Sequence, residues 1–301
     1  MKIGIFGGAA VEQGLAAVRR AAATAETEGF AAFWLPQIFG LDALAALTLV
    51  GAETPRIELG TAVVPTYPRH PITLAAQALT VQAASGDRLT LGIGLSHQFV
   101  IEEMFGYSFE KPARHMDEYL KALIPLLNGQ PADIDGETLK VHASIAVPEA
   151  AAPSLLIAAL GPIMLRLAGE QCDGTITWMT GPKTVESFTV PAISAAATSA
   201  GRPAPRVAVG LPICVTDDTP GARSRAAEIF SVYGFLPSYR AMLDREGAEG
   251  PADVAIVGNE AEVAAQIGRL ADAGVTDFAA AEFGGTADEV RRTRDTLRSL
   301  L

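Results

Sequence analysis

The side chains able to do chemistry in this chain are few, and most of them follow short apolar runs. Gln37 comes after Trp34-Leu35-Pro36, and Tyr67, Arg69 and His70 come after Ala62-Val63-Val64-Pro65. Ser96 and His97 come after Gly92-Ile93-Gly94, and Met179 and Thr180 come after Thr175–Trp178. His97 is the first candidate proton donor, because an imidazole ordinarily titrates near working pH. A contact to a phosphate or polyol is its alternative. Tyr67 either donates to a substrate or packs as a loop aromatic. Arg69 either binds an anionic group or pairs with an acid. Gln37 either hydrogen-bonds a substrate or a flat ring, or is an inert loop amide. His70 precedes Pro71 at a helix start, which favours a structural role at the border of a pocket. His115 beside Arg114 opens a helix, where a cap or an ion pair is expected, and His142 is expected in solvent.

Several chemistries are excluded by what is missing. No Asp or Glu pair stands ready for glycoside-type acid–base work. No two histidines share a metal-ligand spacing, so no metal is expected. Cys172 and Cys214 are far apart and read as buried small hydrophobes, not as a disulfide or zinc pair. The nucleophile-elbow pattern G-x-S-x-G is absent. Gly161-Pro162 opens a helix, whose free N–H groups suit an anion; a plain tight turn explains the same glycine. What remains is a set of backbone groups, small residues and a few neutral donors. That set suits a flat ligand that brings its own reactivity.

These residues need a scaffold, and the chain supplies one by alternation. Strands are expected at Lys2–Phe6, Ala31–Leu35, Arg56–Val64, Leu89–Ile93, Leu155–Ala159, Thr175–Trp178, Arg206–Val215 and Thr276–Ala281. Helices lie between them. One ends at Gly29 and carries Leu15, Val18, Ala22 and Ala25 on one face. Others run over 42–51, from Pro71 to Gly86, over 114–128, from Gly161-Pro162 to Gln171, and over 187–200. After strand seven come helices at 222–233 and 238–245, then one opened by the capping box Asn259-x-x-Glu262 and ended by Gly274; the last spans 286–300. Ile134–Val141 suggests a hairpin around Asp135-Gly136. Eight strands each trailed by a helix predict an α/β fold, a (β/α)8 barrel with insertions after strands four and seven. Gly7-Gly8 is too little for the G-x-G-x-x-G of a doubly wound sheet. In a barrel the strand ends place the residues above around one mouth. Glu282, at the end of strand eight, is expected to bind an arginine across the barrel bottom rather than act as a base.

Bulk properties agree with an enzyme-like globule. Of 301 residues 49% are hydrophobic and 19% charged, and the net charge is −11. That acidity argues against a nucleic-acid groove or a polybasic membrane surface. No apolar stretch approaches the ~18 residues of a membrane span, and the N-terminus reads as a strand rather than a leader, so a cytoplasmic location is expected.

The run Leu59-Gly-Thr-Ala-Val-Val-Pro-Thr-Tyr-Pro-Arg-His-Pro71, then Ala75-Ala76-Gln77, then Gly86-Asp-Arg-Leu-Thr-Leu-Gly-Ile-Gly94 resembles the luciferase-like monooxygenase superfamily. Trp34–Phe39, Ala159–Pro162, Asp173-Gly174 and Trp178–Gly181 support the likeness, which spans nearly the whole chain. Within the superfamily the chain resembles the deazaflavin-dependent oxidoreductases that use coenzyme F420. The resemblance implies one barrel domain over residues 1–301, commonly dimeric. It implies a non-prolyl cis peptide at Ala62-Val63 that, with Val64, backs the deazaflavin ring. It places Gly94, Ser96, His97, Ala159, Gly161 and Pro162 at the ribityl–phosphate part, and Trp178, Met179 and Thr180 along the same side.

The sequence departs from the sugar-phosphate dehydrogenases of that family. Their Asp-His pair after strand two reads Gln37-Ile38 here, and their Glu after the strand-four glycines reads Leu95. Lys183 alone matches one of their phosphate-binding lysines. The expected substrate is therefore a small uncharged molecule with an activated C=C or C=N bond, held near Gln37, Tyr67, Arg69 and His70. His97, Gln37 and Tyr67 are the candidate catalytic residues. Two alternatives stay open: an FMN-dependent monooxygenase using oxygen and a partner reductase, and a non-catalytic F420-binding protein.

Overall fold

A strand buried on both faces reads as an almost unbroken apolar run, and this chain contains eight such runs that pair side by side. The computed structural model describes residues 1–301. Its strands are β1 (Lys2–Phe6), β2 (Ala32–Leu35), β3 (Glu58–Thr61), β4 (Val64–Pro65), β5 (Leu89–Gly94), β6 (Ala132–Asp135), β7 (Lys140–Ala143), β8 (Ser154–Ile157), β9 (Gly174–Trp178), β10 (Arg206–Val215), β11 (Ile256–Gly258) and β12 (Asp277–Glu282). Parallel pairing runs β12-β1-β2-β3-β5-β8-β9-β10, and β10 also pairs with β12, which closes an eight-stranded barrel. Helices between the strands form the outer layer. The expected (β/α)8 architecture is the observed one, and each expected barrel strand lies within about two residues of its place at either end except the third, expected over Arg56–Val64 and broken into β3 and β4.

The lumen is filled in layers. At the bottom Arg206 bridges Glu58 and Asp277, each at 2.7 Å, and donates to Thr90. The middle layer is Trp34, fully buried among Ala32, Leu156, Ile176, Ala208 and Ala279. A Cβ at Gly60 would lie 2.1 Å from the Trp34 ring, and one at Gly4 would lie 3.0 Å from its Nε1. Glycine at both positions is what lets one large indole replace the usual branched side chains. Phe6, Ala62 and Val63 pack on top of this layer and form the floor of the mouth.

Both insertions are present. After β5 come a π-type turn at Val100–Met104, a helix at Pro112–Leu127 and the β6–β7 hairpin. Asp135 pairs with Lys140, so the hairpin turn takes four residues rather than the Asp135-Gly136 pair. The reason is Glu118, whose carboxylate accepts from the N–H groups of Glu137 and Thr138 and from the Thr138 hydroxyl, holding the longer loop. After β10 come helices at Thr219–Ile229 and Pro237–Glu246, separated by a 3-10 turn at Ser231–Gly234. The first is shorter than the expected 222–233 at its far end. The strand β11 was not foreseen; three apolar residues carry no readable period, and only pairing with Ile213–Val215 of β10 makes them a strand. The capping box at Asn259 and Glu262 opens helix Glu260–Asp272, and a second, Thr286 with Glu289, opens helix Ala287–Ser299. No helix is long and apolar enough to cross a membrane.

Candidate functional site at the barrel mouth

The mouth is shaped first by the edge of β3. Leu59 faces Leu89 and Gly60 faces Thr90, but Val64 faces Ile93, so residues 61–63 oppose only 91 and 92. This is a β-bulge. Thr61 pins it: its hydroxyl donates to the Gly92 carbonyl at 2.7 Å and accepts from the Gly92 N–H at 2.8 Å. Within the bulge the Ala62–Val63 peptide is cis, as the resemblance implied. Gly94 makes the adjoining wall, where a Cβ would sit 2.8 Å from Val63 and 3.1 Å from Ala158. Beyond it Ser96 holds a left-handed φ of 62°.

Across the floor, Phe6 at the end of β1 stacks on Trp178 at the end of β9, with centroids 5.1 Å apart and planes 17° from parallel. Trp178 is half-buried, and its indole N–H is buried without a hydrogen-bond partner. An aromatic chain continues from it. Tyr233 meets Trp178 edge-on at 5.8 Å, Tyr239 meets Tyr233 at 5.0 Å, and His97 tilts against Tyr239 at 5.7 Å. Burial lowers the His97 pKa below its ordinary value and raises both tyrosines, so all three are neutral near pH 7.

On the other side Tyr67 lies between two rings, His115 at 4.0 Å and Phe109 at 5.4 Å. Its hydroxyl is buried without a partner, and burial, with Glu102 nearby, pushes its pKa up to about 12. His115 was expected as a cap or ion-pair residue. It is instead buried, with Nε2 3.1 Å from the Thr66 hydroxyl, and burial lowers its pKa to about 4. Arg114 takes the ion pairs, with Glu137 and Glu118.

Other sequence candidates fall differently. The Gln37 carbonyl oxygen accepts from the Ala43 N–H at 2.6 Å, so the amide supports the start of helix Ala43–Glu53. Arg69 is paired with Asp42 and lies close to Gln37, which leaves it no free charge for an anion. His70 is exposed and caps helix Pro71–Ser85 while its other nitrogen lies 3.2 Å from the Lys140 carbonyl, which takes it out of the pocket. Met179 and Thr180 are fully buried, and Met179 belongs to the main core, so neither side chain lines the cleft. Glu282 pairs with Arg294 of helix Ala287–Ser299, which also holds Glu28 at 3.1 Å; the bottom cluster belongs to Arg206 instead. His142 is exposed and paired with Asp133.

The two helix starts near the mouth differ. The N–H groups of Lys183 and Thr184 donate to the Glu246 carboxylate at 3.1 and 2.7 Å, so the protein's own anion fills that helix start, while the exposed Lys183 ammonium makes no ion pair. Helix Pro162–Gln171 has no side-chain cap. Gly161 before it has φ −106° and ψ 164°, a conformation open to any residue, and a Cβ there would meet nothing within 4 Å. A tight turn therefore does not account for this glycine, whereas open space beside free N–H groups fits an anionic group. Elsewhere the outer helices carry charged grooves, such as that of Glu260, Arg291, Arg292 and Asp295.

Sequence reasoning missed Phe6, Phe109, Tyr233 and Tyr239. Phe6 was readable, since it ends a strand and shares the parity of Gly4. The other three lie in insertions whose path over the mouth is set by tertiary contacts alone. The donors gathered here are neutral, one face is a flat aromatic floor, and Glu102 is the acid near Tyr67. Such a site can hold a planar ring with an oxygen-rich tail, and the unpartnered Trp178 N–H together with the open Gly161 cradle fits that group.

Comparison with known proteins gives the family. A family model described as luciferase-like monooxygenase matches residues 1–300. The chain is 31% identical over 271 residues to a 5,10-methylenetetrahydromethanopterin reductase of Methanolobus tindarius, covering 89% of this chain and 82% of that protein. It is 34% identical over 187 residues to an F420-dependent glucose-6-phosphate dehydrogenase of Nocardia farcinica, covering 58% of this chain and 54% of that one. The solved coenzyme F420 dependent tetrahydromethanopterin reductase of Methanopyrus kandleri superposes with a TM-score of 0.80 at 22% identity, over 99% of this chain and 96% of that one, a likeness of fold.

Proposed function

The chain belongs to the luciferase-like monooxygenase family, and from that premise we propose that it is an oxidoreductase that binds coenzyme F420 at the barrel mouth. It acts there on a small uncharged substrate with an activated C=C or C=N bond. The observation that carries the reading is the mouth itself, an aromatic floor walled by a glycine cradle and neutral donors. The cofactor, when bound, supplies the hydride chemistry.

The chain's own residues do the rest. The Ala62-Val63-Val64 bulge and Gly94 offer a flat backing to a ring, and Phe6 with Trp178 gives it an apolar floor. Ser96, Gly161 and Pro162 border the end where free N–H groups face outward, while the Ala159 side chain is fully buried in the core. His97 is neutral and without a hydrogen-bond partner, so it is able to hold or pass a proton at an imidazole nitrogen. Tyr67 is held protonated, so near pH 7 it is a hydrogen-bond donor and no base. The rim is apolar as well: Phe39, Phe99 and Phe235, from the loops after β2, β5 and β10, are 60%, 67% and 84% exposed. With Arg69 paired to Asp42 and the helix start at Lys183 filled by Glu246, two of the groups that could hold a phosphorylated substrate are already committed.

The test is a titration of the protein with F420 and FMN in parallel, read by Trp178 emission. Micromolar quenching by F420 with little response to FMN is the expected result, followed by turnover on a panel of enones and imines. A preference for FMN moves the activity to an oxygen-using flavin enzyme. Tight F420 binding without turnover leaves a binding protein, and no response to either cofactor ends the reading.

A further inference from the structure

The aromatic chain from Trp178 to His97 has a property that its packing does not explain. Four groups capable of hydrogen bonding lie along it: the Trp178 indole N–H, the Tyr233 and Tyr239 hydroxyls and the His97 imidazole. The Trp178 N–H is buried with only the Tyr233 hydroxyl approaching it, and the two hydroxyls and the imidazole make no side-chain hydrogen bond to the rest of the fold. Polar groups left open along one partly buried strip are completed by a ligand or by water. The groups follow one another at centroid spacings of 5.8, 5.0 and 5.7 Å, an extended row rather than a compact pocket.

The row also has a definite place in the barrel. It begins at the end of β9 and reaches the loop after β5, and β8 lies between those two strands. It therefore spans the loop after β8, where Gly161 and the uncapped helix start lie. Tyr233 and Tyr239 come from neither strand. They are brought over by the insertion after β10, whose helix Pro237–Glu246 is anchored where Glu246 caps the Lys183 helix start.

We infer that Tyr233 and Tyr239 form the outer wall of the cofactor cleft and donate hydrogen bonds to the polyol chain of the bound cofactor, which lies extended between Trp178 and His97. This rests on the cofactor reading above. A chain of hydroxyls ending in a phosphate matches a row of neutral donors that runs beside free helix N–H groups, and a compact carbonyl substrate does not need such length. Phenols raised by burial stay protonated and so remain donors to it.

The experiment uses Tyr233→Phe and Tyr239→Phe, which remove one hydroxyl each and keep the rings that pack on Trp178 and His97. Dissociation constants are measured by fluorescence for F420 and for a deazaflavin that carries a methyl group in place of the ribityl chain. Each variant is expected to bind F420 about three- to tenfold more weakly, the usual size of one lost hydrogen bond, and to bind the truncated ring as the native protein does. Unchanged F420 affinity in both variants overturns the inference, and so does an equal loss for the truncated ring. Native protein that binds neither compound overturns the cofactor reading and the inference together, which distinguishes that failure from the other two.

Discussion

His115 shows at the scale of one residue how the mouth is built from neutral groups. Its ring packs on Tyr67, meets the Thr66 hydroxyl and is taken out of water, so its pKa falls from 6.5 to about 4. The folded protein then binds this proton less readily than the unfolded chain. Stability from this residue is complete above the unfolded value and is lost as pH falls from about 6.5 toward 4, by about 3 kcal/mol in all. His115→Phe keeps the stack and removes the titration. Urea melts should show the variant weaker by about 1 kcal/mol at pH 7, from the lost Thr66 contact, with the gap closing or reversing at pH 5. Parallel curves for the two proteins would show that His115 is not the group responsible. The sequence displayed the imidazole and its position after Arg114, but not its burial. That depends on Tyr67, 48 residues earlier in the chain, arriving on the same face.

At the scale of the element, the clearest device is one helix closing another. Helical structure begins at Pro182, five residues before the expected start at 187, and passes through a π-type turn at Val185–Thr189. The local signal at Gly181-Pro182 looks weak because no Ser, Thr, Asp or Asn stands at the N-cap. The cap is Glu246, from the end of helix Pro237–Glu246, and a Cβ at Gly181 would lie 2.4 Å from its carboxyl carbon. Removing it in Glu246→Ala should cost about 1–2 kcal/mol in urea unfolding, and Glu246→Gln should recover part of that. A loss below about 0.3 kcal/mol in the alanine variant would mean that water caps the helix equally well. Elements with their own signals behaved otherwise. Asn259 with Glu262 opened a helix where the pattern placed it, and Gly86 ended one in the left-handed conformation that glycine favours.

For the whole molecule, the two ends of the barrel divide the work. The bottom is closed by Arg206, which ties β10 to β3, β5 and β12 through Glu58, Thr90 and Asp277. Arg206→Ala leaves the Asp277 carboxylate without its ion pair and Glu58 with Lys2 alone, in a region only partly open to solvent, and should lower stability by about 3 kcal/mol. The same variant should bind cofactor as the native protein does, because the mouth lies at the other end of the strands. A change in cofactor affinity with the stability loss would show that the two ends are coupled. The triple variant Arg206→Met, Glu58→Gln, Asp277→Asn should recover much of the stability, since it removes the stranded charges along with the pair.

The sequence by itself determined the eight strands, their order, the helix punctuation and the glycine-rich strand ends, because these depend on local periodicity and on backbone preferences of single residues. It also marked the cis bulge and Gly94 as one wall, through motif runs that stay contiguous in the chain. Only the tertiary structure decided which side chains remain free. Gln37 and Arg69 were open candidates as letters while His70 read as structural, and each proved committed to a partner: Ala43, Asp42 and the Lys140 backbone. Tyr233 and Tyr239 carried no signal at all, yet they reach the mouth. A hydrogen bond or an ion pair between distant segments consumes a side chain without leaving a trace in local sequence, and an insertion's path is set by what it packs against.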